Sequence, residues 1–284
     1  MLRVLSRAVN KSFPILPLLL CGFLAACANA PITQQPSKFF LDSSFAPPAA
    51  HIDPAIIFAV SPEMRQYLEV EIADQLRAEG KQQGLFNALY RKDQLKLEYD
   101  AAMTRTAAEA FAAHAGNCLS LTIMTAALAR ELGLSVHYQR VFTDENWSRS
   151  GNIYFSSGHV NLTLGRRELD PRLRLDEVHL MTIDFFPVGQ FEVQHTWGIE
   201  EKTIVAMFMN NRAAEELVRG KLDDAYWWAR EGIVEDPNFL STFNTLGVIY
   251  RRHGNLHEAE QALRFALDHE PTNIQAMSNL AMVL

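Results

Sequence analysis

Cysteine is scarce in this 284-residue chain: Cys21, Cys27 and Cys118 are its three, and no CxxC pair occurs. That argues against a disulfide framework and against a zinc site, and neither a metal nor an organic cofactor is implied. Basic charge is also short. Lys and Arg total 26 against 33 Asp and Glu, and Arg3, Arg7 and Lys11 are the only charges before residue 27. Beyond them the balance is 23 basic to 33 acidic, or −10. Such a chain is ill suited to general nucleic-acid binding, which needs a basic face to displace counterions from phosphate. Long hydrophobic runs are missing too. Phe13–Phe23 is interrupted by Pro14 and Pro17 and, at about 1.5 Å per helical residue, falls short of a ~30 Å bilayer core. With 48% hydrophobic residues, the chain can still bury a real core in one large or two small domains.

The basic start, the short apolar run and Leu24-Ala25-Ala26-Cys27 have the three-part layout of a secretory signal, with small residues where a peptidase must fit the backbone. Leu-Ala-Ala-Cys resembles the bacterial lipobox. The resemblance implies a signal over 1–26 and a diacylated N-terminus at Cys27, several acyl chains together giving a durable anchor. Ala28 and Asn29 follow, with no aspartate to retain the protein at the inner membrane, so the expected place is the outer membrane, facing the periplasm. Residues 27–60, with Pro31, Pro36, Pro47 and Pro48 among Gln34, Gln35, Ser43 and Ser44, read as a tether. Phe39, Phe40 and Phe45 predict that part of it docks on the folded body.

A repeat is visible at the other end. A shift of 34 residues aligns Gly220 with Gly254, Leu222 with Leu256, Ala225 with Ala259, Ala229 with Leu263, and Pro237 with Pro271. Small residues at 247 and 259 would let two helices approach closely, large ones would fill between them, and the proline would end the second helix. The run Phe243, Leu246, Gly247, Tyr250, Gly254, Ala259, Leu263, Ala266, Pro271 resembles the tetratricopeptide (TPR) pattern. Units are expected at about 206–239, 240–273 and, in part, 274–284, within a region beginning at 201. The first is degenerate, with Ala213 and Glu216 at the Gly and Tyr positions. The part-unit is either a capping helix or a repeat that the chain cuts short. TPR arrays bind peptides or protein partners, or here they brace the preceding domain.

That domain is expected over 61–200. Ser61 and Pro62 open a helix with Met64, Leu68, Ile72 and Leu76 on one face. A second helix is expected over roughly 82–98, and a short one over Ala107–His114. Asn117 is a good N-cap, which puts Cys118 in the first turn of a helix striped by Leu121, Met124, Leu128 and Leu132 and stopped by Gly133. The unpaired N–H groups and dipole there favour a thiolate. Strands follow at Val136–Phe142 and Gly158–Leu164, where Val160, Leu162 and Leu164 would face the core and His159, Asn161 and Thr163 the other way. Glu168–Asp170 and Met181–Phe185 are further candidates. In the latter, Asp184 would face His159. The segment Thr143–Ser157 is a lid or a surface loop, at least one of Trp227 and Trp228 is core, and Trp197 packs at the domain junction.

A thiol at a helix start, a histidine and an aspartate on strands are what a thiol nucleophile requires: a base beside sulfur and an acid to orient the imidazole. From Thr104 through Gly-Asn-Cys and Gly-His-Val-Asn to Thr-Ile-Asp-Phe-Phe-Pro, about 85 residues resemble the transglutaminase-like superfamily in its bacterial periplasmic branch. The resemblance implies an α+β core with Cys118 as nucleophile, His159 as base and Asp184 as orienting acid. Asp170, which precedes Pro171, is the rival for the last role. Val160 stands where relatives often carry an aromatic residue, so substrate contacts do not transfer. The implied activity is acyl transfer on a peptide or isopeptide amide, by hydrolysis or transfer. The alternative is a binding or assembly lipoprotein whose repeats and pocket hold a protein partner.

Overall fold

Local signals open the fold. The Ser61 side chain accepts a hydrogen bond from the Met64 N–H (3.3 Å) at the head of α1 (Pro62–Gln66). The computed structural model describes residues 36–90, 95–142, 147–150, 153–156, 158–165, 180–185 and 195–284. Met64, Leu68, Ile72 and Leu76 are all buried, yet not on one continuous helix. A π turn at Tyr67–Glu71 intervenes before α2 (Ala73–Glu79) and α3 (Lys81–Tyr90). The helix expected over 82–98 therefore stops at Tyr90. Glu98–Tyr99 is instead a strand, β1, paired in parallel with β2 (Ala115–Gly116). The pairing wins because α4 (Ala107–Ala113) ends at left-handed His114, φ 49°, which frees carbonyls. Glu98 N–H then donates to His114 O (2.9 Å) and Asp100 N–H to Gly116 O (3.0 Å).

The helix α5 (Cys118–Glu131) is central rather than amphipathic. Ser120, Thr122 and Thr125 are as buried as Leu121 and Met124, so the single stripe becomes a helix enclosed all round. Gly133 turns the chain with φ 76°, which only glycine adopts without strain. The sheet runs in the order β7 (Met181–Ile183), β6 (His159–Gly165), β3 (Ser135–Phe142), β8 (His195–Ile199), each neighbouring pair antiparallel. Every residue of β6 is buried, so the face bearing His159, Asn161 and Thr163 is covered as well as the apolar one. The segment read as lid or loop contains a separate antiparallel pair, β4 (Trp147–Ser150) with β5 (Ile153–Ser156). Trp197, expected at a packed junction, sits on edge strand β8 and is 70% exposed; an edge strand has a neighbour on one side alone to shelter it.

Five helices follow: α6 (Glu201–Val218), α7 (Leu222–Glu235), α8 (Ser241–His253), α9 (Leu256–His269) and α10 (Ile274–Ala281). Each packs on the next. The fold is thus α+β with a C-terminal helical array. The 34-residue offset has a structural counterpart: Gly220 (φ 77°) and Gly254 (φ 97°) make the same left-handed turn before α7 and α9. At Gly247 a Cβ would lie 2.5 Å from Leu263 Cγ, so that close approach requires glycine. Glu216, at the degenerate aromatic position, is buried and met by Arg219 (2.6 Å), Lys221 (3.5 Å) and Arg212 (3.6 Å). Helix α6 also packs on α5, and one hydrophobic core runs from Ile57 through Cys118 to Met209. Gln35–Leu284 accordingly form one compact unit, with Phe39 and Phe45 buried in it.

Candidate active site

Cys118 is the first residue of α5. Asn117 accepts hydrogen bonds from the Ser120 N–H and hydroxyl, both at 2.9 Å, which fixes the first turn. Asn117 Nδ2 in turn donates to Thr104 Oγ1 (3.0 Å), as does Asn211 of α6 (3.2 Å), while Glu215 of α6 accepts from the Thr104 N–H (2.7 Å). The Cys118 end of α5 is therefore braced by the helical array. Gly116 lets β2 run against it, because a Cβ there would lie 2.7 Å from Ser120 Cβ.

Of the residues singled out from sequence, the structure brings Cys118, His159 and Asp184 together. His159 leads β6, opposite Val141 of β3. Its Nε2 lies 2.5 Å from Asp184 Oδ1, and its ring is near enough to the Cys118 side chain to feel it electrostatically. Asp184 follows β7 directly, and the pairing of Leu162 with Ile183 sets it beside His159. Burial opposes protonation of His159. The interactions with Asp184 and Cys118 outweigh it and push its pKa up to about 9. The site therefore favours the imidazolium form of His159. Asp170 and Cys27 lie outside the described residues.

Three residues complete the site that no sequence reading had given a role. Asn161, two residues along β6 and so on the His159 face, donates to Asp184 Oδ2 (2.9 Å); its i, i+2 spacing was the available signal. Tyr90 fastens the Asp184 backbone, its hydroxyl donating to Asp184 O (2.6 Å) and accepting from Asp184 N (3.2 Å). Tyr99, on β1, lies against the Cys118 backbone. Neither tyrosine carries a local signal, because both arrive through non-local pairing. Among the described residues no cluster of three or more His, Cys, Asp or Glu could hold a metal, and no helix is long and apolar enough to cross a membrane.

No protein-family profile matches the chain, and no curated protein does. Among solved structures, the chain is similar to the second TPR domain of the human RPAP3 protein, determined by NMR in complex with an HSP70 peptide. The two share 29% identity over 28% of this chain and 65% of that one, so the chain spans about two thirds of that domain's length. At a TM-score of 0.27 the likeness is too weak to assign either a fold or a function.

Proposed function

We propose that the chain is a cell-envelope lipoprotein in which a transglutaminase-like domain acts on a peptide or isopeptide amide through a Cys118 thioester, followed by TPR repeats. The observation that supports the chemistry is the His159–Asp184 pair at 2.5 Å beside Cys118, whose combined influence pushes the His159 pKa up to about 9. In the proposed reaction the Cys118 thiolate attacks the carbonyl carbon and the oxyanion is met by the Cys118 N–H and the Tyr99 hydroxyl. His159 gives its proton to the leaving amine as the C–N bond breaks. Water, or an acceptor amine, then adds to the thioester while His159 takes up a proton. The acyl group leaves as acid or new amide, and sulfur departs as thiolate. Asp184 keeps the ring oriented throughout, with Asn161 and Tyr90 fixing Asp184. The envelope assignment rests on Leu24–Cys27, with Cys27 anchoring the protein at the outer membrane, facing the periplasm.

A second reading, a binding or assembly lipoprotein with an inherited thiol site, draws support from the helical array, whose side chains hold a distant segment of the chain. One experiment separates the two. Cys118 alkylation by iodoacetamide is followed against pH in wild type and in His159→Ala. Alkylation that persists well below the ~8.5 of an ordinary thiol, with the variant shifted upward, supports the catalytic reading and justifies an amide-substrate screen. A profile indifferent to His159 sinks it.

A further inference from the structure

Outside the thiol site, the most elaborated contact surface in the molecule is the groove made by α7, α8 and α9, where residues 36–49 lie as a strap. Two aromatic anchors enter it. Phe39 packs edge-on against Phe243 of α8 (5.2 Å between centroids) and against Phe265 of α9 (4.8 Å). Phe45 stacks on Tyr226 of α7 at 4.0 Å, with ring planes 2° apart. Between them Asp42 accepts from the Tyr226 hydroxyl (2.5 Å) and from Arg230 Nε (3.0 Å).

The strap's main chain is read by groove side chains. Tyr250 donates to Phe39 O (2.6 Å) and Trp227 Nε1 to Ala46 O (2.6 Å). Leu41 N–H donates to the Tyr226 hydroxyl (2.9 Å), Ala46 N–H to Asp223 (2.9 Å) and Ala49 N–H to Asp224 (2.7 Å). The strap makes two short 3-10 turns, Pro36–Phe39 and Asp42–Ser44, and backbone groups outside them are met by side chains 175 or more residues away. Backbone contacts for affinity and spaced pockets for specificity are how a groove recognises a peptide. The strap leads to the domain through an exposed hinge, with Pro47, Ala49, Ala50 and His51 all open to solvent.

We infer that this groove is a peptide-recognition site selective for Phe-x-x-acid-x-x-Phe, occupied by the chain's own Phe39–Phe45 strap and open to a partner protein that presents the same pattern in the same turned conformation. The strap acts as a tethered competitor. A partner binds only in the fraction of time the strap is off, so its apparent affinity is lowered by that fraction. This inference stands apart from the thiol chemistry, and neither depends on the other.

The test uses the full chain. A fluorescent peptide copying residues 36–49 is titrated, by anisotropy, into wild type and into a Phe39→Ala/Phe45→Ala chain whose strap is released. The released chain should bind at least about tenfold more tightly than wild type, and a peptide lacking the acid (Asp42→Ala) should lose about tenfold. Equal titration of both chains, or no uptake by a released chain with unchanged circular dichroism, overturns the proposal. Should the double variant fail to fold, hydrogen exchange on the unaltered chain decides. The Leu41 and Ala46 amides should exchange at least about tenfold faster than the Leu246 and Tyr250 amides of α8. If the two sets exchange together, the strap opens only with the whole fold, and it is no competitor.

Discussion

Replacing Asp184 by Asn removes one negative charge while keeping the side chain's shape and an oxygen to face His159. The rise of His159 from 6.5 to about 9 corresponds to about 3 kcal/mol in favour of the imidazolium, at about 1.4 kcal/mol per pH unit. That gain survives although burial of the ring works against the charge, so the partners must outweigh burial. With the carboxylate gone, burial is left opposed by Cys118 alone, and the His159 midpoint should fall by at least one pH unit. The assay is a side-chain NMR titration of the His159 ring, run beside iodoacetamide alkylation of Cys118 at pH 6.5. Alkylation should slow by about tenfold or more as the imidazolium partner of the thiolate is lost. Stability carries a matching signature. His159 is raised in the folded state, so its contribution is fully present below about pH 6.5 and is lost as pH climbs through about 9. Wild type should therefore lose stability across that window, and Asp184→Asn should be flatter. A His159 midpoint unmoved by the substitution would refute the electrostatic account of the site.

Three further outcomes are expected. Gly247→Ala should lower the midpoint of thermal unfolding: although alanine favours helix by about 1 kcal/mol, a Cβ 2.5 Å from Leu263 Cγ costs about 1–3 kcal/mol in strain, and Cys118 alkylation should not change. Asn117→Ala should cost about 1 kcal/mol through the lost cap and also slow alkylation, because the cap orients the turn that carries the thiol; urea melts and alkylation rates read the two effects separately. Cys27→Ala should move the protein from the detergent phase to the aqueous phase of a cloud-point separation. Retention in detergent by the variant would remove the lipid anchor from the proposal.

The parts legible from sequence were those whose cause lies within a few residues. Asn117 before Cys118 announced a capped helix because the cap's oxygen reaches only the N–H three positions on. Gly133 announced its turn because positive φ excludes most side chains. Alternation along Met181–Ile183 carried enough information to place Asp184 on the side of His159, since a strand's period of two is strict. The parts that were missed depend on distant partners. The helical pattern of 82–98 lost its last residues to a strand pairing with Ala115–Gly116. The stripe on α5 gave no hint that its polar face would be enclosed. Trp197 was expected at the domain junction from its position before the repeats, and on β8 it is instead largely exposed.

By itself, then, the amino-acid sequence marked the capped start and glycine stop of α5 and the repeat spacing, because capping, left-handed turns and periodicity are local properties of the backbone, while the three side chains of the candidate triad were named by strand position together with a family resemblance. Only the tertiary structure decided what surrounds them. It set Asn161 and Tyr90 on Asp184, brought Tyr99 against the Cys118 backbone, braced Thr104 from α6 and laid Phe39 and Phe45 in the α7–α9 groove. Each of these contacts links residues far apart in the chain. Their free energy depends on which surfaces meet once the core has formed, and no window of sequence holds both partners.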